Sequence, residues 1–326
     1  MAALYVISSE KGSGKTALCA GLAKQLTTRG KKIGFFKPVI NAAAAGNDSD
    51  AAFMKQLFSL AEPVDLLCPA IQGGSRLVSN IKEAYARVAQ GKDVVIVEGP
   101  SEQYQTASEV ATVLNAKVIM IEAYSKALFK AADSYKRFGQ SLLGVVINKV
   151  PRTRLEGTKT LASKAGVNVL GIIPEDRALL AITIGELAEY IHGEFLSGAK
   201  QSAELVENLM LGALGLDPGP EYFGRKANKA VILKSERPDM QLAALQTSSR
   251  CLVLAGSTPP KPAVISDAEA RHIPIILAKD SVPAVVANIE GAVVKARFNQ
   301  LNKLPRLTEI IEQNFNLKTL YQGLGI

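Results

Sequence analysis

Leu4-Tyr5-Val6-Ile7-Ser8-Ser9-Glu10-Lys11-Gly12-Ser13-Gly14-Lys15-Thr16 runs an apolar segment straight into a glycine-spaced turn that opens a helix. The apolar run predicts a buried strand. Gly12 and Gly14 allow the backbone to curl with its N–H groups pointing inward, and the helix behind them adds free N–H groups and its dipole, so the turn reads as a phosphate-binding loop. Within it Lys15 is expected to reach terminal phosphates and Thr16 to ligate magnesium. Gly12, Ser13, Gly14, Lys15, Thr16 and Ala17 are the candidate nucleotide-binding residues. Ser9 stands where the full Walker pattern has its first glycine, so the assignment rests on the Gly-Lys-Thr ending and on the strand that leads into it.

Outward from this loop the chain alternates. Leu18, Leu22, Ala23 and Leu26 form a helical stripe over 16–29, and Gly30 stops it. Lys32-Ile33-Gly34-Phe35-Phe36-Lys37-Pro38-Val39 reads as a buried strand that delivers Lys37 to its carboxyl end, the edge where open parallel sheets bind ligands. Asn47-Asp48-Ser49-Asp50 opens a helix over 51–60, and its carboxylates suit either a helix cap or a magnesium ligand. A helix over 81–90 precedes Asp93-Val94-Val95-Ile96-Val97-Glu98-Gly99-Pro100, a central strand whose terminal carboxylate, Glu98, emerges at the same edge and can hold magnesium or its water. Strands over 117–121 and 142–149 flank a helix over 126–138. The second of them ends in Asn148, whose amide suits a purine edge and equally a turn. A strand over 169–176 and a helix over 184–191 complete a doubly wound α/β parallel sheet with helices on both faces.

A stretch rich in Gly, Ser and Pro with a helical piece over 203–211 marks a boundary near 196–203, which predicts domains over 1–200 and 201–326. The second is a smaller α/β domain with strands over 230–233, 251–254 and 273–277. Its strand-end residues, Ser235-Glu236-Arg237-Pro238-Asp239 and Gly256-Ser257-Thr258-Pro259-Pro260, suit a ligand pocket or ordinary loop and cap chemistry.

Composition narrows the classes. The 326 residues carry a net charge of +8, but only 6% are aromatic, none is Trp, and the basic residues are scattered. That balance favours phosphorylated small molecules over a nucleic-acid groove. Cys19, Cys68 and Cys251 are too far apart for a disulfide framework or metal-ligand spacing, and His192 and His272 stand alone. With neither a leader segment nor a membrane-spanning apolar run, the expectation is a cytoplasmic protein.

Taken together, the loop ending Gly14-Lys15-Thr16, Phe36-Lys37-Pro38-Val39, the Asn-Asp-Ser-Asp segment, Val97-Glu98-Gly99 and Val146-Ile147-Asn148 resemble the dethiobiotin synthetase-like branch of P-loop ATPases, whose relatives include the cobyrinic acid amidating enzymes. The resemblance implies ATP and Mg2+ as cofactors, with Lys15 and Lys37 as catalytic contacts to phosphates or to an acyl phosphate. It implies Thr16, Asp50 and Glu98 as magnesium ligands, with Asp48 second to Asp50, and Asn148 as a contact to the base. Lys11 lies one residue away from the signature lysine of partition-type ATPases, and that role is not carried over.

Asn208-Leu209-Met210-Leu211-Gly212-Ala213, Val231-Ile232-Leu233-Lys234-Ser235-Glu236-Arg237-Pro238-Asp239-Met240 and Cys251-Leu252-Val253-Leu254-Ala255-Gly256 extend the resemblance. The whole is similar to the N-terminal half of long phosphotransacetylases, in which a DRTGG-type domain follows the ATPase. Ser235-Glu236-Arg237 stands where that family has Gly-Asp-Arg, and the name-giving motif is absent. No acetyl-transferring domain is among these segments, so the chain is not expected to be a phosphotransacetylase by itself. The resemblance implies a homodimer with the nucleotide near the interface.

Three functions compete: a slow regulatory ATPase whose second domain senses a small ligand or protein partner, an ATP-dependent carboxylate-activating synthetase, and an interaction protein with a vestigial nucleotide site. Against the synthetase, Pro100-Ser101-Glu102-Gln103-Tyr104 replaces the glycine-rich continuation that such enzymes carry after Val-Glu-Gly.

Overall fold

The computed structural model describes residues 1–40, 48–125, 128–129, 132–212, 219–295 and 298–326. Asn47, part of the expected helix over 126–138, and Ala213 lie outside them. The described residues form two units, Met1–Asp176 with Phe298–Ile326, and Arg177–Arg297.

The first unit is built on six parallel strands: β1 Ala2–Ser8, β2 Ile33–Phe36, β3 Val94–Ser101, β4 Ala116–Ala123, β5 Leu142–Val150 and β6 Val169–Pro174, in the order β2-β3-β1-β4-β5-β6. Near-continuous apolar runs suit strands covered on both faces, and Leu4 to Ile7 and Val94 to Val97 are buried. Register brings the loop's neighbours together: Val6 pairs with Glu98 and Ser8 with Ser101. The helix that follows the loop, α1 Lys15–Thr28, starts where expected.

The strand expected to run through Val39 stops at Phe36. Pro38 has no N–H for a ladder, and the Lys37 N–H donates to Leu67 O instead (2.7 Å). In place of one helix over 126–138, the described part is a short helix at Ala132–Tyr135 followed by 3-10 turns at Lys136–Ser141, where Gly139 leaves helical geometry (φ 48°).

The second unit also holds a sheet: β7 Glu194–Ser197, β8 Asn208–Gly212, β9 Lys229–Lys234, β10 Ser249–Ala255 and β11 Ile275–Ala278. The order is β7-β11-β10-β9-β8, parallel except for the edge strand β7. One face packs Ile232 and Val253 against Leu187, Val285 and Ile289, and the other packs Val231 and Leu252 against Met240 and Val264. The helical piece expected over 203–211 is extended instead. Met210 and Gly212 are buried while Leu209 and Leu211 are each 40% exposed, an alternation of period two that suits an edge strand.

The boundary expected near residue 200 lies at 176/177, and the chain after residue 297 returns to the first unit rather than completing the second. Side chains on helices α2 Leu304–Asn314 and α3 Leu317–Leu324 explain the return. Ile311 sits on α1 where a Cβ on Gly21 would be only 2.3 Å from its Cδ1. Gln25 donates to Glu312 (3.0 Å), and the Arg29 guanidinium lies 3.8 Å from the centre of the Tyr321 ring. Arg306 binds Asp176 (2.8 Å), the last residue before the chain leaves. The second unit is therefore an insertion in the first.

Candidate functional site

The turn between β1 and α1 is held open by backbone geometry. Gly12 and Gly14 have φ of 74° and 98°, a region that L side chains rarely occupy. A Cβ on Gly14 would also stand 2.3 Å from Asn148 Nδ2. Gly14→Ala is therefore expected to destabilise the protein by about 2 kcal/mol and to weaken any anion bound by the loop. A denaturation midpoint equal to wild type would contradict this.

Lys15 Nζ donates to Ser101 Oγ (2.7 Å) and Ser8 Oγ (2.9 Å), which lie 3.0 Å apart. Ser8 in turn donates to Glu10 O (2.8 Å). Burial lowers the Lys15 pKa, and the negative charge of Glu98 opposes that shift. Thr16 Oγ1 donates to Glu98 Oε1 (3.1 Å), while Glu98 Oε2 is buried without a hydrogen-bond partner among the described residues. Burial pushes the Glu98 carboxyl up to about 7, with Lys37 pulling the other way.

Lys37 reaches the same place from the end of β2. Its ammonium donates to Asp48 (2.8 Å) and Asp50 (2.5 Å) and lies 4.0 Å from Glu98 Oε1. Burial opposes its charge, but Glu98, Asp48 and Asp50 outweigh burial and raise its pKa. The two aspartates divide the work left open by the sequence. Asp48 caps the helix Ser49–Phe58, accepting from the Asp50 and Ala51 N–H groups at 3.0 and 2.9 Å. Asp50 sits in the first turn beside Lys37.

Lys15, Thr16, Lys37, Asp50 and Glu98 thus share one site at the carboxyl edge of β1, β2 and β3, with Ala17 in the first turn of α1. Ser13 is fully buried, donating to Glu10 O (2.6 Å). Asn148 lies behind the loop: its Nδ2 donates to Ser13 O, and its Oδ1 accepts from the Lys149 N–H, both at 2.9 Å. Lys149, in a left-handed conformation (φ 57°), donates to Gly12 O (2.8 Å).

Sequence reasoning missed Ser8, Ser101, Lys149 and Glu122. Glu122, buried at the end of β4, accepts from the Phe129 N–H (3.1 Å) and the Ser9 hydroxyl. Only Lys149 carried a signal, its place beside Asn148. The Ser8–Ser101 pairing depends on a register that the sequence does not display.

Among the described residues no group of three or more His, Cys, Asp or Glu side chains forms a metal cage. The donors present are hard oxygens, the Thr16 hydroxyl and a Glu98 carboxylate with one oxygen unengaged. That set fits Mg2+, which keeps several waters and takes one or two carboxylates together with phosphate oxygens.

In the second unit, Ser235 is buried at the carboxyl end of β9 with its Oγ unpartnered among the described residues, beside Gly256 after β10. His192 and His272 are exposed. No helix among the described residues is long and apolar enough to cross a membrane.

Residues 2–183 match the AAA_26 family of AAA domains, and residues 186–292 match the DRTGG domain. The phosphate acetyltransferase of Nitrosomonas europaea is 24% identical over all of this chain and 52% of its own length. That of Pseudomonas putida is 26% identical over 87% of this chain and 43% of its own length. The ATP-dependent dethiobiotin synthetase BioD of Caldicellulosiruptor saccharolyticus is 25% identical over 45% of this chain and 74% of its own. The chain spans about half the length of the phosphate acetyltransferases it matches. With its phosphate loop, six-stranded parallel sheet and inserted second unit, the chain belongs to the dethiobiotin synthetase-like AAA_26 family of P-loop proteins, joined to a DRTGG domain and homologous to the N-terminal part of phosphate acetyltransferases.

Proposed function

We propose that the protein is a magnesium- and ATP-binding module that hydrolyses ATP slowly and regulates through its DRTGG unit, which takes a small ligand or a partner. The observation that carries this reading is the state of Lys15, a half-buried ammonium whose acceptors among the described residues are the neutral Ser8 and Ser101 hydroxyls. Such a cation is ready to exchange two weak partners for a phosphate, a stronger charge-assisted contact. Gly12 to Thr16 would cradle the phosphates with backbone N–H groups. Thr16 and Glu98 would hold Mg2+, with Asp50 nearby; when bound, the metal neutralises charge on the terminal phosphates.

Slow turnover fits the engagement of the other carboxylates, because Asp48 and Asp50 both hold Lys37. The same contacts weigh against carboxylate activation, which needs Lys37 at the acyl phosphate. A homodimer, implied by family resemblance, is testable by light scattering with and without nucleotide.

The test is thermal stability with ATP, ADP, GTP and a nonhydrolysable ATP analogue, each with and without magnesium, followed by phosphate release. MgATP at 100 times its dissociation constant should add about 2.7 kcal/mol, and Lys15→Ala should abolish that gain. If Lys15→Ala binds as tightly as wild type, the site assignment is wrong. If no nucleotide stabilises the wild type, the chain is better read as an interaction protein.

A further inference from the structure

The phosphate loop is held from behind by two residues at the end of β5, which lie 135 and 137 positions further along the chain than the residues they hold. Asn148 Nδ2 donates to Ser13 O (2.9 Å), and Lys149 Nζ donates to Gly12 O (2.8 Å). The C=O and N–H of a trans peptide unit point in opposite directions, so a donor that holds one residue's carbonyl aims the next residue's N–H the other way. The Ser13 and Gly14 N–H groups therefore face away from Asn148 and Lys149. Neither meets an acceptor among the described residues.

The carbonyls on either side are fixed as well. Glu10 O accepts from the Ser8 and Ser13 hydroxyls (2.8 and 2.6 Å), and Gly14 O accepts from the Leu18 N–H (3.0 Å). Successive N–H groups aimed to one side form a concavity for an anion. A Gly-Ser-Gly segment left to itself would lose much conformational freedom on closing around phosphate, because glycine has the most to lose. Here the two donors from β5 impose that order beforehand.

The end of β5 is shaped for this contact. Lys149 is left-handed (φ 57°), a conformation that costs an L residue energy and persists only where its surroundings impose it. Asn148 Oδ1 helps to impose it by accepting the Lys149 N–H (2.9 Å). Both ends of the Asn148 amide are thus engaged by the chain itself.

We propose that Asn148 and Lys149 are positioning residues for the phosphate chain: they hold the peptide units 12–13 and 13–14 with their N–H groups toward the anion, and Asn148 does not read the base. The proposal rests on the reading of Gly12 to Thr16 as a phosphate loop.

Calorimetric titration of the full chain with MgATP and with magnesium tripolyphosphate, which has no base, tests it. Lys149→Met and Asn148→Ala should each weaken both ligands by the same factor, about tenfold. Lys149 is exposed, so Lys149→Met should leave the unfolding temperature of the ligand-free protein unchanged, and Lys149→Arg should recover most of the affinity. The loss should persist at about 1 M salt, where screening confines charge effects to about 3 Å. Lys149→Met carries the test if Asn148→Ala fails to fold. Weaker ATP binding with tripolyphosphate binding intact in Asn148→Ala would assign that amide to the base and overturn the proposal. Wild-type affinity for both ligands in Lys149→Met would overturn it too, as would a loss that vanishes at high salt or a wild type that binds MgATP but no tripolyphosphate. A wild type that binds neither ligand would sink the phosphate-loop reading itself, and this proposal with it.

Discussion

Deleting Phe298–Ile326 is expected to abolish cooperative unfolding of the first unit and, with it, nucleotide binding, although the phosphate loop lies far away in sequence. Six apolar side chains of this segment, Leu307, Ile310, Ile311, Phe315, Leu320 and Leu324, are buried. At roughly 1.5–3 kcal/mol each, their burial contributes about 10 kcal/mol, a figure comparable to the net stability of an ordinary domain, about 5–15 kcal/mol. The loss falls on α1 in particular, because Ile311 fills the notch left by Gly21 about two turns beyond the loop. Ile311→Ala, a milder version, should cost about 3 kcal/mol. Calorimetry and MgATP binding of the truncated chain decide the matter: an intact transition with wild-type affinity would show that residues 1–176 suffice, and that the returning helices merely decorate them.

How far the sequence spoke depended on how local the cause was. The strand over Leu4 to Ile7, the Gly-Lys-Thr turn and α1 announce themselves by residues next to one another, and each lies where periodicity and glycine chemistry put it. The same holds for Glu98 in the second half of β3 and for Lys37 just past β2. What pattern could not reveal was long-range. Leu304 to Leu324 fell within the expected second domain, and only the fit of Ile311 on Gly21 and of Tyr321 under Arg29 assigns it to the first unit. Asn208 to Gly212 was not legible, because the outward Leu209 and Leu211 are as apolar as the inward Met210, so no polar–apolar alternation marks a period of two, and a run of Leu and Met has strong helix propensity. The division between Asp48 and Asp50 likewise rests on which carboxylate meets the free N–H groups of the helix, a matter of ångströms rather than of residue type.

Glu98→Gln should stabilise the nucleotide-free protein at alkaline pH while abolishing its response to magnesium. Burial raises the Glu98 carboxyl from its ordinary value of 4.5 to about 7, so between these values the folded chain holds a proton that the unfolded chain has released. Stability contributed at this position therefore falls as pH rises through that window, and above it the folded state bears the full cost of an ionised, buried carboxylate, roughly 3 kcal/mol. Glutamine keeps the shape and an oxygen for Thr16 but never ionises. The variant should match wild type near pH 4.5 and exceed it by up to about 3 kcal/mol at pH 8. Adding MgATP at pH 8 should reverse the order, because wild type gains a carboxylate ligand for Mg2+ and the variant has none to offer. Urea titrations of both proteins at pH 5 and pH 8, with and without MgATP, measure all of this. A variant less stable than wild type at pH 8 without nucleotide would mean that Lys37, 4.0 Å away, more than compensates the carboxylate's burial. The unpartnered oxygen would then be no sign of a cation's place.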